Sequence, residues 1–513
     1  MSDRETSRRR IVGSLLGVGS LTVLGSRSAR AQPTEKGRPN RYGESGTRGS
    51  SFRDPAYLNH LLDMGSARER VRTYERTGRT EALITPALQR AAASTDDGTV
   101  DVTVQTTGRR ARVRTSGQFG RRLFGWQPTP AEVRRLGEYG DVGATMSVAS
   151  TAVAVSNVAV EDLSELVDLP FVLEVGHDPE IAGVNGATRE TSATVTTSST
   201  PTADDLRTSA HSDFESVSQL LDVKVGGFVA GYEPDGVATA YGKNWAQEVG
   251  IDTDLAKDFS GAGGWRVSDD LTHADHGSDV LNTAAYMLKP FAQRNDHMVP
   301  IRIWDTSADG TDDPQASDFS NAVDYALKND IAAGVCSLVV TGNVSYCPSS
   351  VCAELESYAT AGYTMAVASG TQNNDTNVDY PAGSYFTVGV GAYNGASNDG
   401  FGRDEKSQYC TVSYYSDAAS RAYCPWCHDY GGDAKFCPDI YSCGDFSAPD
   451  GGGLGGTSMA APVVGAAGGL DVSSNPADSH YNRLSRYHDM NTHPVYPSDT
   501  SKLGGALYTP TLV

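Results

Sequence analysis

Three groups of residues in this 513-residue chain have types and spacing suited to chemistry. The first is Gly456-Thr457-Ser458-Met459-Ala460-Ala461-Pro462. Gly451, Gly452, Gly453, Gly455 and Gly456 lead into it, and residues without a Cβ let backbone approach backbone or a bound chain closely. The run from Ser458 to Leu470 is small and apolar, which suits a helix buried in a packed interior. A serine at that junction holds its N–H and hydroxyl near the positive end of the helix dipole, where a developing oxyanion is stabilised. Pro462 has no N–H for the carbonyl of Ser458, four residues back, so the first turn is loosened. A serine hydroxyl is a weak nucleophile until a base takes its proton, and the base in turn needs an orienting acid. Without those partners the stretch is only a capped core helix.

The second group is His276-Gly277-Ser278-Asp279-Val280, which runs into Leu281, Ala284, Ala285 and Leu288 at helical spacing. His276 sits at the start of that helix, where a histidine by itself is a polar cap. The third group is Cys424-Pro425-Trp426-Cys427-His428, followed by Cys437 and Cys443. Its Cys-x-x-Cys-His form is that of haem attachment, but nothing else in the chain suggests a cytochrome. Two readings stand for Cys424, Cys427, Cys437 and Cys443: disulfides, and a structural zinc site with His428 as a further ligand. None of the eight cysteines precedes Cys336, which falls in an apolar run and reads as a free core thiol.

The heptapeptide around Ser458 resembles the nucleophile motif of subtilisin-like serine proteases (subtilases, peptidase family S8). His276-Gly277-Ser278-x-Val280 is similar to the family's base motif, with Ser278 where the family has Thr and Asp279 where it commonly has a second His. Val299–Asp305, Phe319–Leu327, Gly334–Val340, Thr364–Gly370, Tyr380–Ala382, Phe386–Ala392 and Phe446–Pro449 follow in family order. The resemblance covers roughly residues 205–475. It implies a parallel-sheet, three-layer α/β catalytic domain, with Ser458 as nucleophile and His276 as general base. It also implies protein or peptide substrates and an acyl-enzyme. No cofactor is then needed for the chemistry, and structural calcium is a family feature. Asp305–Asp313 is an acidic loop, but its spacing matches no calcium loop.

Two family positions depart from the pattern. The acid that orients the base usually ends an early strand as Asp-x-Gly. Here the stretch is Val225-Gly226-Gly227-Phe228-Val229-Ala230-Gly231-Tyr232-Glu233-Pro234-Asp235-Gly236. A strand ending at Tyr232 makes Glu233 the acid, Asp235 is the neighbouring choice, and a strand ending at Phe228 leaves Val229 there and no acid. The oxyanion-hole asparagine is also displaced. Ala368-Ser369-Gly370 is followed by Thr371, with Asn373 further on, so the donors are the backbone N–H of Ser458 and either Thr371 or Asn373. These departures keep a second function open: a catalytically impaired pseudoprotease of the same fold, acting as a peptide-binding or scaffold module.

The elements that must position these groups follow from pattern. From about residue 205, strands alternate with helices, as a parallel α/β sheet requires. Residues 98–182 read as a small α+β unit: a strand at Val100–Val104, strand sequence over Ala144–Val160, a helix over Val160–Leu166, and a last strand at Pro170–Val175. Its ending is similar to that of the inhibitory propeptide that precedes many subtilase domains. The chain's own propeptide thus joins its substrates as an expected partner. Residues 183–204 are a Ser/Thr-rich linker, with a maturation site expected in 183–210. Residues 32–97 are polar, then helical. Residues 410–443 are a Cys-rich insert within a catalytic domain over 205–475, and 476–513 form a C-terminal extension.

Residues 1–31 read as an export signal. Arg8-Arg9-Arg10 precedes a short apolar run broken by Gly and Ser, and Ala29-Arg30-Ala31 has the small-x-small form of a cleavage site. The arginines resemble a twin-arginine signal, which implies a secreted protein with no membrane segment after cleavage. Net charge is −21, from 42 basic and 63 acidic residues, and lysine is scarce. That balance argues against nucleic-acid binding and suits a monomer working in high salt, as in an extreme halophile.

Overall fold

The structure, a computed structural model, describes residues 83–114, 122–183, 223–233, 244–266, 274–292, 297–304, 315–340, 349–370, 381–394, 402–403, 439–447, 453–484 and 505–506, apart from a few positions inside these stretches. They divide into two compact units: residues up to Ala111 with Trp126–Asp178, and Arg112–Gly125 with Pro179 onward.

The described chain opens with α1 (Pro86–Ser94), β1 (Thr99–Thr106), β2 (Arg109–Arg114) and β3 (Arg122–Gln127), the last two pairing with each other. It continues with α2 (Pro130–Leu136), β4 (Asp141–Thr145), β5 (Ala152–Ala159), a 3₁₀ turn at Val160–Asp162, α3 (Leu163–Asp168) and β6 (Val172–His177). The sheet order is β4-β5-β1-β6, antiparallel throughout. Both α1 and α2 begin at a Thr-Pro pair. The threonine hydroxyl accepts an N–H of the first turn, from Leu88 to Thr85 and from Glu132 to Thr129, and the proline takes the first helical position, where no donor is needed. At α2 the box is closed by Glu132, which accepts the N–H of Thr129 at 2.6 Å. Val102, Val104, Val153, Val155, Leu166 and Val175 form the core under the sheet.

The second unit comprises β7 (Ile181–Gly183), β8 (Val225–Val229), α4 (Trp245–Val249), β9 (Lys257–Asp258), α5 (Ala274–Leu288), β10 (Met298–Arg302), α6 (Ala316–Lys328), β11 (Ala333–Cys336) and β12 (Leu338–Val340). It goes on through α7 (Ser349–Thr360), β13 (Thr364–Ala368), β14 (Val388–Asn394), β15 (Gly402–Arg403), β16 (Ile440–Ser447), β17 (Gly453–Gly455), α8 (Thr457–Ser474) and β18 (Gly505–Ala506). The strand order is β17-β16-β14-β13-β11-β8-β10-β9. The six strands from β16 to β10 run parallel, β9 extends them in parallel, and β17 is antiparallel.

Strands β8, β10, β11 and β13 are buried at every residue, the mark of a parallel sheet covered on both faces. Successive β8 residues show the two cover layers. A Cβ on Gly227 would lie 2.4 Å from Leu281 of α5, whereas the Phe228 ring meets Phe319 of α6 with centroids 5.7 Å apart. Helix α8 packs on α5 and crosses β11, β13 and β14, and α6 packs on α7. Gly465 lets α8 come this close: a Cβ there would lie 2.3 Å from Val335 of β11.

One element departs from the sequence reading. Gly334–Val340 reads as a single strand but is broken at Ser337. The piece before the break stays in the parallel sheet, and the piece after it leaves to pair antiparallel with β7, Leu338 opposite Gly183 and Val340 opposite Ile181. The physical reason lies at the active site.

Candidate active site

Ser458 lies in the first turn of α8, directly after Gly456, whose φ of 99° is a left-handed value that favours glycine. The turn is held from three sides. The Thr457 hydroxyl donates to the carbonyl of Gly370, just past β13, at 3.0 Å. The Ser337 hydroxyl donates to the carbonyl of Ser458 at 3.1 Å. That is the carbonyl left without an intrahelical donor by Pro462, so a side chain from the β11–β12 junction supplies what the proline withholds. This bond accounts for the strand break: Ser337 turns from the sheet to serve the nucleophile's residue. On the third side, Oγ1 of Thr283 in α5, whose proton goes to the carbonyl of Asp279 at 2.7 Å, touches the sulfur of Met459 at 3.8 Å.

Ser458 is fully buried, and its hydroxyl makes no hydrogen bond among the described residues. A buried hydroxyl without a partner costs stability, so its presence calls for an explanation. The neighbouring thiol is no rival. Cys336 is free and buried, and burial pushes its thiol up to about 12, which keeps it neutral.

His276 stands half-buried in the first turn of α5, one residue before Gly277. A Cβ on Gly277 would lie 2.1 Å from the carbonyl oxygen of Gly231, so the helix start rests directly on the chain that follows β8. That chain carries the candidate acid. Strand β8 ends at Val229, between the two ends weighed from sequence, yet the extended course continues: Tyr232 makes a parallel bridge with Arg266, and its N–H donates to the carbonyl of Trp265.

Glu233 follows, only 4% exposed, with its N–H donating to the Ser278 hydroxyl of α5 at 2.9 Å. Its Oε1 is buried and makes no hydrogen bond among the described residues. A buried carboxylate is costly unless a charge or donors meet it. Val229, the alternative position at the end of the strand, is a buried core residue. Asp279, three residues after His276 on the same helix, is a second buried carboxyl here.

Asp235, Thr371 and Asn373 lie outside the described residues, as do Cys424, Cys427, Cys437, the acidic loop 305–313 and residues 1–82. Cys443 falls in β16, with its side chain not described. Among the described residues no group of three or more His, Cys, Asp or Glu side chains is arranged to hold a metal ion, and no helix is long and apolar enough to cross a membrane.

Thr457 and Ser278 stand in the two motifs read from the sequence without a role assigned there, and Ser337 stands in a run read only as a strand. For Ser337 a signal existed: it is the polar residue inside an apolar run, and Pro462 had already left one carbonyl in need of a donor.

Residues 260–501 match the family model described as the subtilase family, a span that includes His276 and Ser458 and begins after Glu233. No curated protein matches the sequence. Among solved structures, the fold is similar to that of fervidolysin from Fervidobacterium pennivorans, a keratinolytic enzyme related to subtilisin. The TM-score is 0.52 at 12% identity, and the alignment covers 82% of this chain and 62% of the other. At that identity the likeness speaks for the fold alone. Residues 260–501 thus resemble a subtilase domain, and the chain carries a subtilisin-like α/β fold.

Proposed function

We propose that this chain is a serine endopeptidase that cleaves peptide bonds through an acyl-enzyme on Ser458. The observation that carries the reading is the buried, unpartnered hydroxyl of Ser458 at the N-terminus of α8, within the span that matches the subtilase family. In this reading Oγ of Ser458 attacks the substrate carbonyl carbon, and His276 takes the proton and returns it to the leaving amine. Glu233 stabilises the imidazolium. The backbone N–H of Ser458 and the dipole of α8 meet the oxyanion, joined by a side chain from the segment after Gly370, Thr371 or Asn373. Water then releases the acyl group. Subtilases do this without a cofactor. Calcium, and zinc at Cys424, Cys427, Cys437 and Cys443, would be structural.

The substrate would add a strand to β12, as β7 does. That pairing also supports reading residues 98–182 as a propeptide, whose tail leads through Ile181–Gly183 to a strand that begins next to Ser337, and Ser337 is bonded to the nucleophile's carbonyl. The protein would be exported by its arginine-containing signal and matured within 183–210. N-terminal sequencing of the secreted protein tests this, and a start at Gln32 with no shorter species overturns it.

The second reading, a pseudoprotease that holds peptides without cutting them, is favoured by one observation: no hydrogen bond joins Oε1 of Glu233 to another described group. Reaction of the processed protein with a fluorophosphonate probe in high salt separates the two. Labelling that disappears in Ser458→Ala is expected of the endopeptidase. Folded, processed protein that does not label supports the pseudoprotease.

A further inference from the structure

The buried polar contacts around Glu233 form a connected set that the proposed chemistry does not require by itself. The N–H of Glu233 donates to Oγ of Ser278 at 2.9 Å. The carbonyl of Ser278 accepts from the side-chain amide of Asn282 at 2.8 Å, and Oδ1 of Asn282 accepts the N–H of Ala246 in α4 at 3.0 Å. Next to Glu233, the Tyr232 hydroxyl donates at 2.7 Å to Oδ1 of Asn244, which also caps α4 by accepting the N–H of Gln247. The Tyr232 ring stacks on Trp265, centroids 6.2 Å apart. Ser278, Asn282, Ala246 and Tyr232 are all fully buried.

Helix α5 thus grips the chain after β8 at two successive residues: Gly277 rests on the backbone of Gly231, and Ser278 accepts from Glu233. The residue before these two is His276. This grip, one and two residues from His276, ties the backbone of the residue that carries the buried carboxylate to the helix that carries His276.

We infer that Ser278 is a positioning residue that fixes the Glu233 carboxylate relative to the imidazole of His276. The inference rests on the triad reading above. Its physical content is specific. Losing the acceptor of a buried N–H lets residues 231–233 relax away from the helix, and the imidazolium loses part of its counter-charge. A hydroxyl in the same place, from Ser or Thr, keeps the bond.

The test uses full-length, processed protein and two readouts. The rate of fluorophosphonate labelling against pH is measured for the wild type, Ser278→Ala, Ser278→Thr, Glu233→Gln and the Glu233→Gln/Ser278→Ala double variant. The His276 titration is followed by NMR of histidine-labelled protein, assigned with His276→Gln. We expect Ser278→Ala to slow labelling about tenfold, the size of one lost hydrogen bond expressed in the transition state. We also expect it to lower the apparent pKa of His276, since a displaced carboxylate stabilises the imidazolium less. Ser278→Thr should restore both, and in the Glu233→Gln background removing Ser278 should change little further.

Labelling and titration unchanged in Ser278→Ala, or the same loss in the Glu233→Gln background, would overturn the proposal. If the wild type does not label at all, the endopeptidase reading fails on its own account. The titration then still decides the positioning role: an unshifted His276 in Ser278→Ala rejects it. Thermal melts of Ser278→Ala and Ser278→Thr show whether a loss is one of folding, and in that case the Thr variant alone carries the comparison.

Discussion

The two units treat buried polar groups in opposite ways. In the N-terminal antiparallel sheet, every buried side-chain polar atom among the described residues has a hydrogen-bond partner. Glu132 shows how thoroughly: one oxygen accepts the N–H of Thr129, and the other accepts the Thr107 hydroxyl at 2.7 Å and the N–H of Gly108 at 3.3 Å. In the parallel-sheet unit, several buried side-chain atoms make no hydrogen bond among the described residues, Oγ of Ser458 and Oε1 of Glu233 among them, although the backbone and hydroxyls beside these two are bonded. Complete satisfaction serves stability and a single folded state. Atoms held in place but left unbonded are available to a substrate or a proton, at a cost the surrounding framework must offset.

The sharpest way to break this contrast is Glu233→Gln. If the carboxylate serves His276, the substitution keeps the shape and lowers turnover on the order of 10⁴-fold, the size that loss of the acid has in subtilisin itself, with little change in melting. Unchanged turnover, together with a large loss in Asp279→Asn, would transfer the role to the other buried carboxyl. Next in size is Gly277→Ala. Its Cβ would meet the Gly231 carbonyl at 2.1 Å, so either α5 or the acid-bearing chain must move. A displacement near 1 Å lowers turnover by about 10²-fold, and the overpacking costs roughly 1–3 kcal/mol of stability. Kinetics and urea melts on one preparation measure both. The smallest effect belongs to the other unit. Thr129→Ala removes one side of a closed capping box and should cost about 1 kcal/mol in urea unfolding of the full chain, with no change in the labelling rate of processed protein.

Sequence pattern went further for helices than for strand ends. The starts of α5 and α8 were legible because each is a contiguous motif in which a glycine, a polar residue and a small apolar run specify a helix N-terminus. The Thr-Pro starts of α1 and α2 are equally local, yet they went unused. The end of β8 was not legible. The sequence offered ends at Phe228 and at Tyr232, whereas the ladder stops at Val229 and the extended course resumes in a bridge to Arg266, 34 residues later. The strand β2 was not legible because its sequence, four arginines in six residues, carries little apolar alternation.

The order of strands and helices indicated a parallel α/β sheet, and the resemblance of the short motifs at Ser458 and His276 to those of subtilases named two of the residues proposed for catalysis, because both signals are local in the sequence. The tertiary structure alone showed that Glu233 is buried and bonded through its N–H to the base helix, where the strand through Ser337 breaks, and which side chain serves the carbonyl that Pro462 leaves open. Each depends on hydrogen bonds between residues 45 to 121 positions apart, whose partners no local pattern specifies.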